Sequence, residues 1–394
     1  MTELNIGHHC FLLQNESDRF TTELLFLKQH VPSCIFLAIC FVIGVTGNAF
    51  VLYIFYKQFK QSNYRVYVLF LSGIDIVFCF TVIPFYVFNM IYYWNFNIEE
   101  LWRKSLNIVC KLGCFMTIFL SLASLIILVI IAVDRYIVVR KPSQKKIGEV
   151  HALKSCIIAL LLSGTLSWYS FLIYGVKERW DSDIQIVIQN VSQCTSVHKL
   201  SYINNYILLA CSLLQASFFS LAYGGIWSKI KIHAQRSSIG FSKRRRTIMI
   251  YIAITAVFSI STIISLSLRI VTETVNKYLN CQSGYIEESA FMLFSLSHCI
   301  NHVCNPIIYY WRDMRFRNGV KRTLCCWSEV LKMSSRRSDT NSIKSITSKT
   351  VGNNSIRRCA YSADSMTKAS IGEESSTKKE TFHAELSNEE NFTE

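Results

Sequence analysis

Seven stretches of this chain are long enough, and free enough of charge, to cross a bilayer as helices. Residues 33–56, 112–133, 155–176, 201–228, 247–268 and 289–311 contain no Asp, Glu, Lys or Arg, and residues 66–94 contain one, Asp75. About 20 apolar residues in a helix span the ~30 Å of bilayer hydrocarbon, and each window meets that length. A chain of 394 residues that is 51% hydrophobic and only 17% charged is a poor match to an ordinary soluble enzyme. The expected fold is an all-α membrane protein, a seven-transmembrane helix bundle. An odd number of crossings puts the two termini on opposite sides.

The basic residues set the orientation. Lys229, Lys231, Arg236, Lys243, Arg244, Arg245 and Arg246 fall around the loop between the fifth and sixth windows with no acid among them, and Lys57, Lys60 and Arg65 lie between the first and second. Cytoplasmic loops carry the excess of Lys and Arg, so the N-terminus is expected outside, in a multi-pass protein of the plasma membrane. The first 30 residues show neither the basic n-region nor the apolar core of a cleavable signal peptide, so the first helix would serve as the insertion signal. The formal charge of +15 then belongs mainly to the cytoplasmic loops and tail, where anionic lipid or an acidic partner surface can meet it. Nothing resembles a folded nucleic-acid-binding module, and no nucleic-acid partner is expected.

The cysteines sort by side. Cys110 opens the third window and Cys194 sits in the long loop before the fifth, both facing oxidising space, where a disulfide between them is expected. Cys10 and Cys281 are also outside and are candidates for a second bridge, whose connectivity the sequence leaves open. Cysteines inside the windows read as small packing residues. Outside, Asn15 and Asn190 head glycosylation sequons, whereas Asn353 and Asn391 fall on the cytoplasmic side, where such sequons go unused.

Two motifs stand at the inner ends of windows. Asp134-Arg135-Tyr136 closes the third, and Asn305-Pro306 with Tyr309 lies near the end of the seventh, whose run also holds His298, Asn301 and His302. Gly47-Asn48, Leu71-Ser72 with Asp75, Cys110, Trp168, Tyr223 and Phe258 complete an ordered set across the windows. With these residues, the chain over about residues 30 to 326 resembles a rhodopsin-like (family 1, class A) G-protein-coupled receptor, an atypical member. The resemblance implies a receptor, not an enzyme. Its cytoplasmic face would engage a heterotrimeric G protein, with Asp134, Arg135, Tyr136, Tyr223, Asn305, Pro306 and Tyr309 as the activation switch.

An ionisable group at mid-membrane is expensive unless it faces polar partners. For Asp75 the candidate partners are Asn48, Ser124, Asn301 and Asn305. The resemblance makes this cluster an allosteric sodium site, with Asp75 and Ser124 as ligands and no other cofactor; the bland alternative is a water-bridged Asp75 that packs the helices. Arg135 is expected to pair with Asp134 and to swing toward Tyr223 and Tyr309 on activation. Arg244 stands where some relatives carry an acid on the sixth helix, so a salt bridge from Arg135 to that helix is excluded and appreciable basal activity is expected. His298 and His302, four residues apart, read as packing or water-bridging groups, since no third metal ligand shares their face.

Several positions depart from the resemblance. Where the sixth helix of the family carries Cys-Trp-x-Pro, this chain reads Ser261-Thr262-Ile263-Ile264, and Gln215 replaces the proline of the fifth helix. Proline removes a helical hydrogen bond and clashes with the preceding turn, so straighter fifth and sixth helices are expected.

On the outer side, Thr117 takes the place where amine receptors carry an aspartate. A peptide is the favoured ligand, with a β-hairpin lid suggested by the alternation from 183 to 197 through Ile184, Ile186 and Ile188 and a turn near Asn190. Arg269, within the sixth window's outer end, suggests a small anionic ligand instead, a nucleotide or lipid acid, unless it pairs internally with Glu287 or Glu288. Thr117, Arg269, Glu287 and Glu288 are thus the ligand-binding candidates. A decoy receptor that does not signal is the further alternative.

The domains read as an extracellular segment, 1–31; a receptor domain, 32–312; a short amphipathic eighth helix, 313–326, with Phe316, Val320 and Leu324 on its apolar side and palmitoylation candidates at Cys325 and Cys326; and a disordered cytoplasmic tail, 327–394. Arg336-Arg337-Ser338 and Ser375-Ser376-Thr377 suggest receptor kinases and arrestin as partners. Walker loops and metal-ligand clusters are missing from the sequence, and a transporter or channel would more often show internal repeats or interrupted helices at mid-membrane.

Overall fold

The computed structural model describes residues 16–92, 100–140, 148–177, 193–196, 200–234, 239–275 and 285–325, with side chains given for a somewhat smaller set. The elements are α1 (Glu16–Gln58), α2 (Asn63–Tyr92), α3 (Glu100–Arg140), α4 (Glu149–Ser167), α5 (Ser170–Ile173), β1 (Tyr174–Lys177), β2 (Gln193–Ser196), α6 (Leu200–Ala234), α7 (Ile239–Val275), α8 (Tyr285–Ser295), a 3₁₀ segment (Ser297–His302) and α9 (Cys304–Arg312). Residues 314–325 form one more helix, α10. The chain divides into two compact units, Met1–Phe316 and Arg317–Glu394.

Among the described residues, six helical segments are long and apolar enough to cross a membrane, His30–Gln58, Asn63–Met90, Ser105–Val139, Glu149–Ile173, Asn205–Lys229 and Thr247–Val271. The seventh apolar window is present as α8, the 3₁₀ segment and α9 in succession. In α1 the helix begins well before the window and carries Pro32 within it, and Pro84 lies within α2. α6 and α7 run uninterrupted past Gln215 and Ser261-Thr262-Ile263-Ile264, as the missing prolines imply. The chain instead interrupts its seventh span, which the apolar window alone did not show.

α3 occupies the middle, packed against α2, α4, α6 and α7, while α1 packs on α2, α8 and α9. Large side chains without contact to solvent, among them Phe55, Tyr67, Phe78, Ile127, Tyr251 and Tyr309, fill the interior. Many exposed side chains are apolar, including Ile39, Phe80, Leu161, Leu214 and Leu221, which is what a lipid-facing surface requires. Small residues set the closest approaches. A Cβ on Gly47 would sit 2.8 Å from the Pro306 ring, and one on Gly113 would enter the Phe85 ring.

The outer hairpin exists with a different first strand from the one read in the sequence. β2 pairs antiparallel with β1, with Val176 opposite Cys194, so the strand partner is the end of the fourth apolar window. β1 lies against α3. The alternating run from Ile184 to Ile188 falls outside the described residues. Cys110 is disulfide-bonded; the side chain of Cys194 is outside the described set, as are Cys10, Cys281, Asn15, Asn190, Cys326 and the residues from 327 on.

Candidate functional site

Polar side chains inside the bundle gather at three depths. At the inner end, α3 presents Asp134 and Arg135, the latter with Nη2 2.8 Å from Asp134 Oδ2. Asn63 Nδ2 of α2 lies 3.5 Å from Asp134 Oδ1. The expected pair within the motif is thus present, and Arg135 has a second contact that the sequence reading missed: its guanidinium lies 5.7 Å from the ring centre of Tyr251 on α7. A cation over an aromatic face is attracted by the ring quadrupole. Tyr251 in turn meets Tyr64 of α2 edge-on at 5.8 Å, and the Tyr64 hydroxyl donates to Asp313 at 3.1 Å. Arg135 therefore does contact the sixth helix, through an aromatic ring where the sequence reading had excluded a salt bridge to an acid. Tyr223 and Tyr309 are buried nearby in the bundle but, among the described contacts, neither touches Arg135. The Arg244 side chain lies outside the described set.

Asp313 also closes one helix and opens the next. Its backbone N–H bonds back to Tyr309, and its Oδ1 accepts from the N–H groups of Arg315 at 2.9 Å and Phe316 at 3.4 Å. These are the N2 and N3 donors that an N-cap side chain satisfies. Phe316 is buried against Phe55 and Tyr309, whereas Leu324, expected on the same apolar side, is exposed, as is Cys325.

At mid-membrane depth the cluster around Asp75 differs from the expected one. His302 Nδ1 lies 2.8 Å from Asp75 Oδ1, and Asn305 Nδ2 donates to Asp75 Oδ2 at 2.7 Å. The His302 ring stacks on Phe78 at 3.7 Å with an interplanar angle of 17°. Of the expected partners, only Asn305 bonds to the carboxylate. Asn48 turns to the seventh span's backbone and donates to His302 O at 2.9 Å and to Gly44 O at 3.0 Å. Asn301 faces the sixth helix, accepting from the Ser261 hydroxyl and donating to Thr262 Oγ1 at 3.2 Å. Ser124 Oγ makes no protein hydrogen bond and lines a small cavity with Asp75, Asn301, His302 and Asn305.

The sodium expectation can be tested on this donor set. A hard alkali ion needs oxygen ligands with room around them, yet the His302 imidazole fills the space beside Asp75 Oδ1 and Oδ2 accepts from the Asn305 amide. The residues present do not fit a cation held at this carboxylate. His302, read in the sequence as a packing or water-bridging group, is a direct partner of Asp75. Its spacing of three residues before Asn305, on the same helical face, was the available signal.

The interruption of the seventh span follows from Pro306. Lacking an N–H, Pro306 cannot bond to His302 O, and the turn before it tightens, with Cys299 N–H bonding to Leu296 O at 2.9 Å and Val303 N–H to Ile300 O at 3.1 Å. Unsatisfied backbone groups are costly where no water is available, and side chains from other helices supply what is lost. Asn48 takes His302 O, and the Ser265 hydroxyl takes Ser295 O at 2.6 Å. Ser297 Oγ donates back to Ser261 O at 2.9 Å. The hydroxyl-rich run that replaces Cys-Trp-x-Pro on the sixth helix is therefore hydrogen-bonded to the seventh.

Toward the outer end, Arg269 Nη2 donates to the Tyr86 hydroxyl at 3.2 Å, that hydroxyl lies 3.0 Å from His298 Nε2, and His298 Nδ1 lies 3.1 Å from Ser265 Oγ. Among the described side chains no carboxylate pairs with Arg269; Glu287 and Glu288 have side chains outside that set. Thr117 is buried and donates to Gly113 O at 2.8 Å. Among the described residues, no group of three His, Cys, Asp or Glu is placed to hold a metal ion.

A family profile described as 7 transmembrane receptor (rhodopsin family) matches residues 47–309. The chain is 23% identical over 318 residues to the neuropeptide F receptor of Drosophila melanogaster, which covers 73% of this chain and 61% of that receptor. It is 24% identical over 372 residues to the mesotocin receptor of Rhinella marina, covering 86% of this chain and 89% of that one. With hydroxycarboxylic acid receptor 2 of Homo sapiens the identity is 24% over 290 residues, 71% of this chain and 73% of the other. The chain thus spans about three fifths of the length of the neuropeptide F receptor.

Proposed function

Because the chain belongs to the rhodopsin family of seven-transmembrane receptors, we propose that it converts the binding of an extracellular peptide into activation of a heterotrimeric G protein at its inner face. One observation carries the coupling part: Arg135 is held between Asp134 on its own helix and Tyr251 on the sixth. The ring contact is surrendered when the sixth helix moves outward, which leaves the guanidinium held only by Asp134 of its own helix and open to a partner. The neuropeptide F receptor, named for a peptide, supports the ligand class. Orientation with the N-terminus outside, residence in the plasma membrane, pairing of Cys110 with Cys194, glycans on Asn15 and Asn190, lipidation at Cys325 and Cys326, and engagement of receptor kinases and arrestin by the tail belong to the same reading.

The test is second-messenger output, cAMP and calcium, in cells expressing the chain, with and without a peptide library, against Arg135→Ala at matched surface level. A signal that Arg135→Ala abolishes is the expected result. Silence of both proteins at good surface expression would replace this reading with that of a decoy receptor.

A second reading of the ligand rests on Arg269. A partly buried guanidinium within an apolar span whose described hydrogen-bond partner is a phenol favours an anionic group on the ligand, and hydroxycarboxylic acid receptor 2 is named for an acid. Under this reading a carboxylate screen activates the receptor where the peptide library does not, and Arg269→Ala removes the response with surface expression intact. Rescue of Arg269→Ala by a compensating change at Glu287 or Glu288 would instead mark an internal pair.

A further inference from the structure

We propose that His302 is the built-in partner of Asp75 and that, by filling the space beside the carboxylate that a cation would use, it closes the mid-membrane pocket to sodium. The two residues are buried at 1% exposure each, and the imidazole is fixed from two directions, by the 2.8 Å contact with Asp75 Oδ1 and by the face of Phe78. Asn305 Nδ2 donates to the other carboxylate oxygen, so each oxygen of the acid has a protein nitrogen within 2.8 Å. A sodium ion drawn to this carboxylate would meet the imidazole ring on one side and the Asn305 amide N–H on the other, and an N–H group cannot act as its ligand. The remaining oxygens are no substitute. Asn301 Oδ1 accepts from Ser261, Asn48 Oδ1 makes no protein hydrogen bond but Asn48 does not line the cavity, and Ser124 and Asn305, which do line it, offer only neutral oxygens beside Asp75.

The arrangement is built by the fold. His302 ends the 3₁₀ segment, where the tightened turn ahead of Pro306 places its ring against α2. Asn48 holds the same residue's carbonyl, so backbone and side chain of His302 are tied to α1 and α2 respectively. A helix-to-helix tie of this kind does permanently what a bound ion would do only at sufficient concentration.

The experiment uses purified full-length receptor and sodium itself as the probe. Melting temperature is measured in sodium chloride and in choline chloride at equal ionic strength, for the wild type, His302→Ser, Asp75→Asn and the double variant. The expected result is no sodium-specific shift for the wild type, a sodium-specific rise for His302→Ser, in which a short hydroxyl opens the space and supplies an oxygen, and loss of that rise in the double variant. A sodium-specific rise in the wild type that Asp75→Asn removes would overturn the proposal. So would a well-folded His302→Ser that stays blind to sodium, because the imidazole would then not be what excludes the ion. Where His302→Ser does not fold, His302→Ala opens the same space and takes its place in the series. The readout needs no ligand and no G protein, so its failure is separate from failure of the coupling proposal.

Discussion

At the scale of single residues, Tyr251 and Asn48 have the most predictable consequences. Tyr251 gives Arg135 a ring on the sixth helix where an acid is lacking, an interaction worth about 0.5–2 kcal/mol depending on desolvation. Such a contact restrains the inner end without locking it, so Tyr251→Leu is expected to raise ligand-free second-messenger output several-fold over the wild type at matched surface level. Unchanged output would show that the ring contributes nothing to the inactive state. Asn48 supplies the donor that Pro306 withholds from His302 O. Asn48→Ala leaves that carbonyl unsatisfied in a buried setting, at about 1–3 kcal/mol, and is expected to lower the melting temperature of the purified receptor. Asp75, Arg135 and Asn305 could be picked out from sequence because ionisable or amide groups inside apolar windows are rare. Their partners were harder, since a helical tyrosine such as Tyr251 or Tyr64 carries no sequence mark that separates packing from contact with a cation.

At the scale of elements, the sixth and seventh spans divide the work by where their prolines stand. α7 runs unbroken through the stretch that lacks proline and tryptophan, while the seventh span is interrupted and carries the polar couplings. Interhelical hydrogen bonds in membranes average about 0.6 kcal/mol and reach about 1.7. The pair formed by Ser261 and Asn301 should therefore show a coupling of that order in a double-mutant cycle of Ser261→Ala and Asn301→Ala read by thermal stability; additivity would place the pair outside the energetics of the bundle. The approach of α1 to Pro306 needs the missing side chain at Gly47, and Gly47→Ala is expected to lower both melting temperature and surface expression, because a Cβ there meets the proline ring at 2.8 Å. At the inner end Asp313→Ala removes the cap from α10, a loss of about 1 kcal/mol, visible as faster amide exchange over residues 314–325. The eighth helix was legible in the alternation of basic and apolar residues; its start was not, because Asp313 reads as an ordinary acid until its carboxylate is seen on the following N–H groups.

At the scale of the whole molecule, apolar windows, loop charges and outer sequons make one topological statement. An epitope on the N-terminus should be accessible on intact cells, and one on the C-terminus only after permeabilisation. Asn15→Gln and Asn190→Gln should each remove one step of glycosidase-sensitive mass from the cell-surface form. The reverse accessibility would invert the assignment of Arg135 to the cytoplasmic mouth and with it the proposed coupling.

The number of crossings, the family, the inner motifs and the rarity of Asp75 were all determined by the sequence, because crossing a bilayer imposes a length and a charge rule that act locally along the chain. Which polar groups meet was decided only by the tertiary structure. Asn48 and Asn301 were expected on Asp75 and turn instead to His302 O and to Ser261 and Thr262, while His302 takes the carboxylate. Pro306 and the 3₁₀ segment rotate the seventh span's side chains relative to a continuous helix, and each unsatisfied backbone group then claims the nearest donor. Such competition among partners from different helices is settled by distances in the packed bundle.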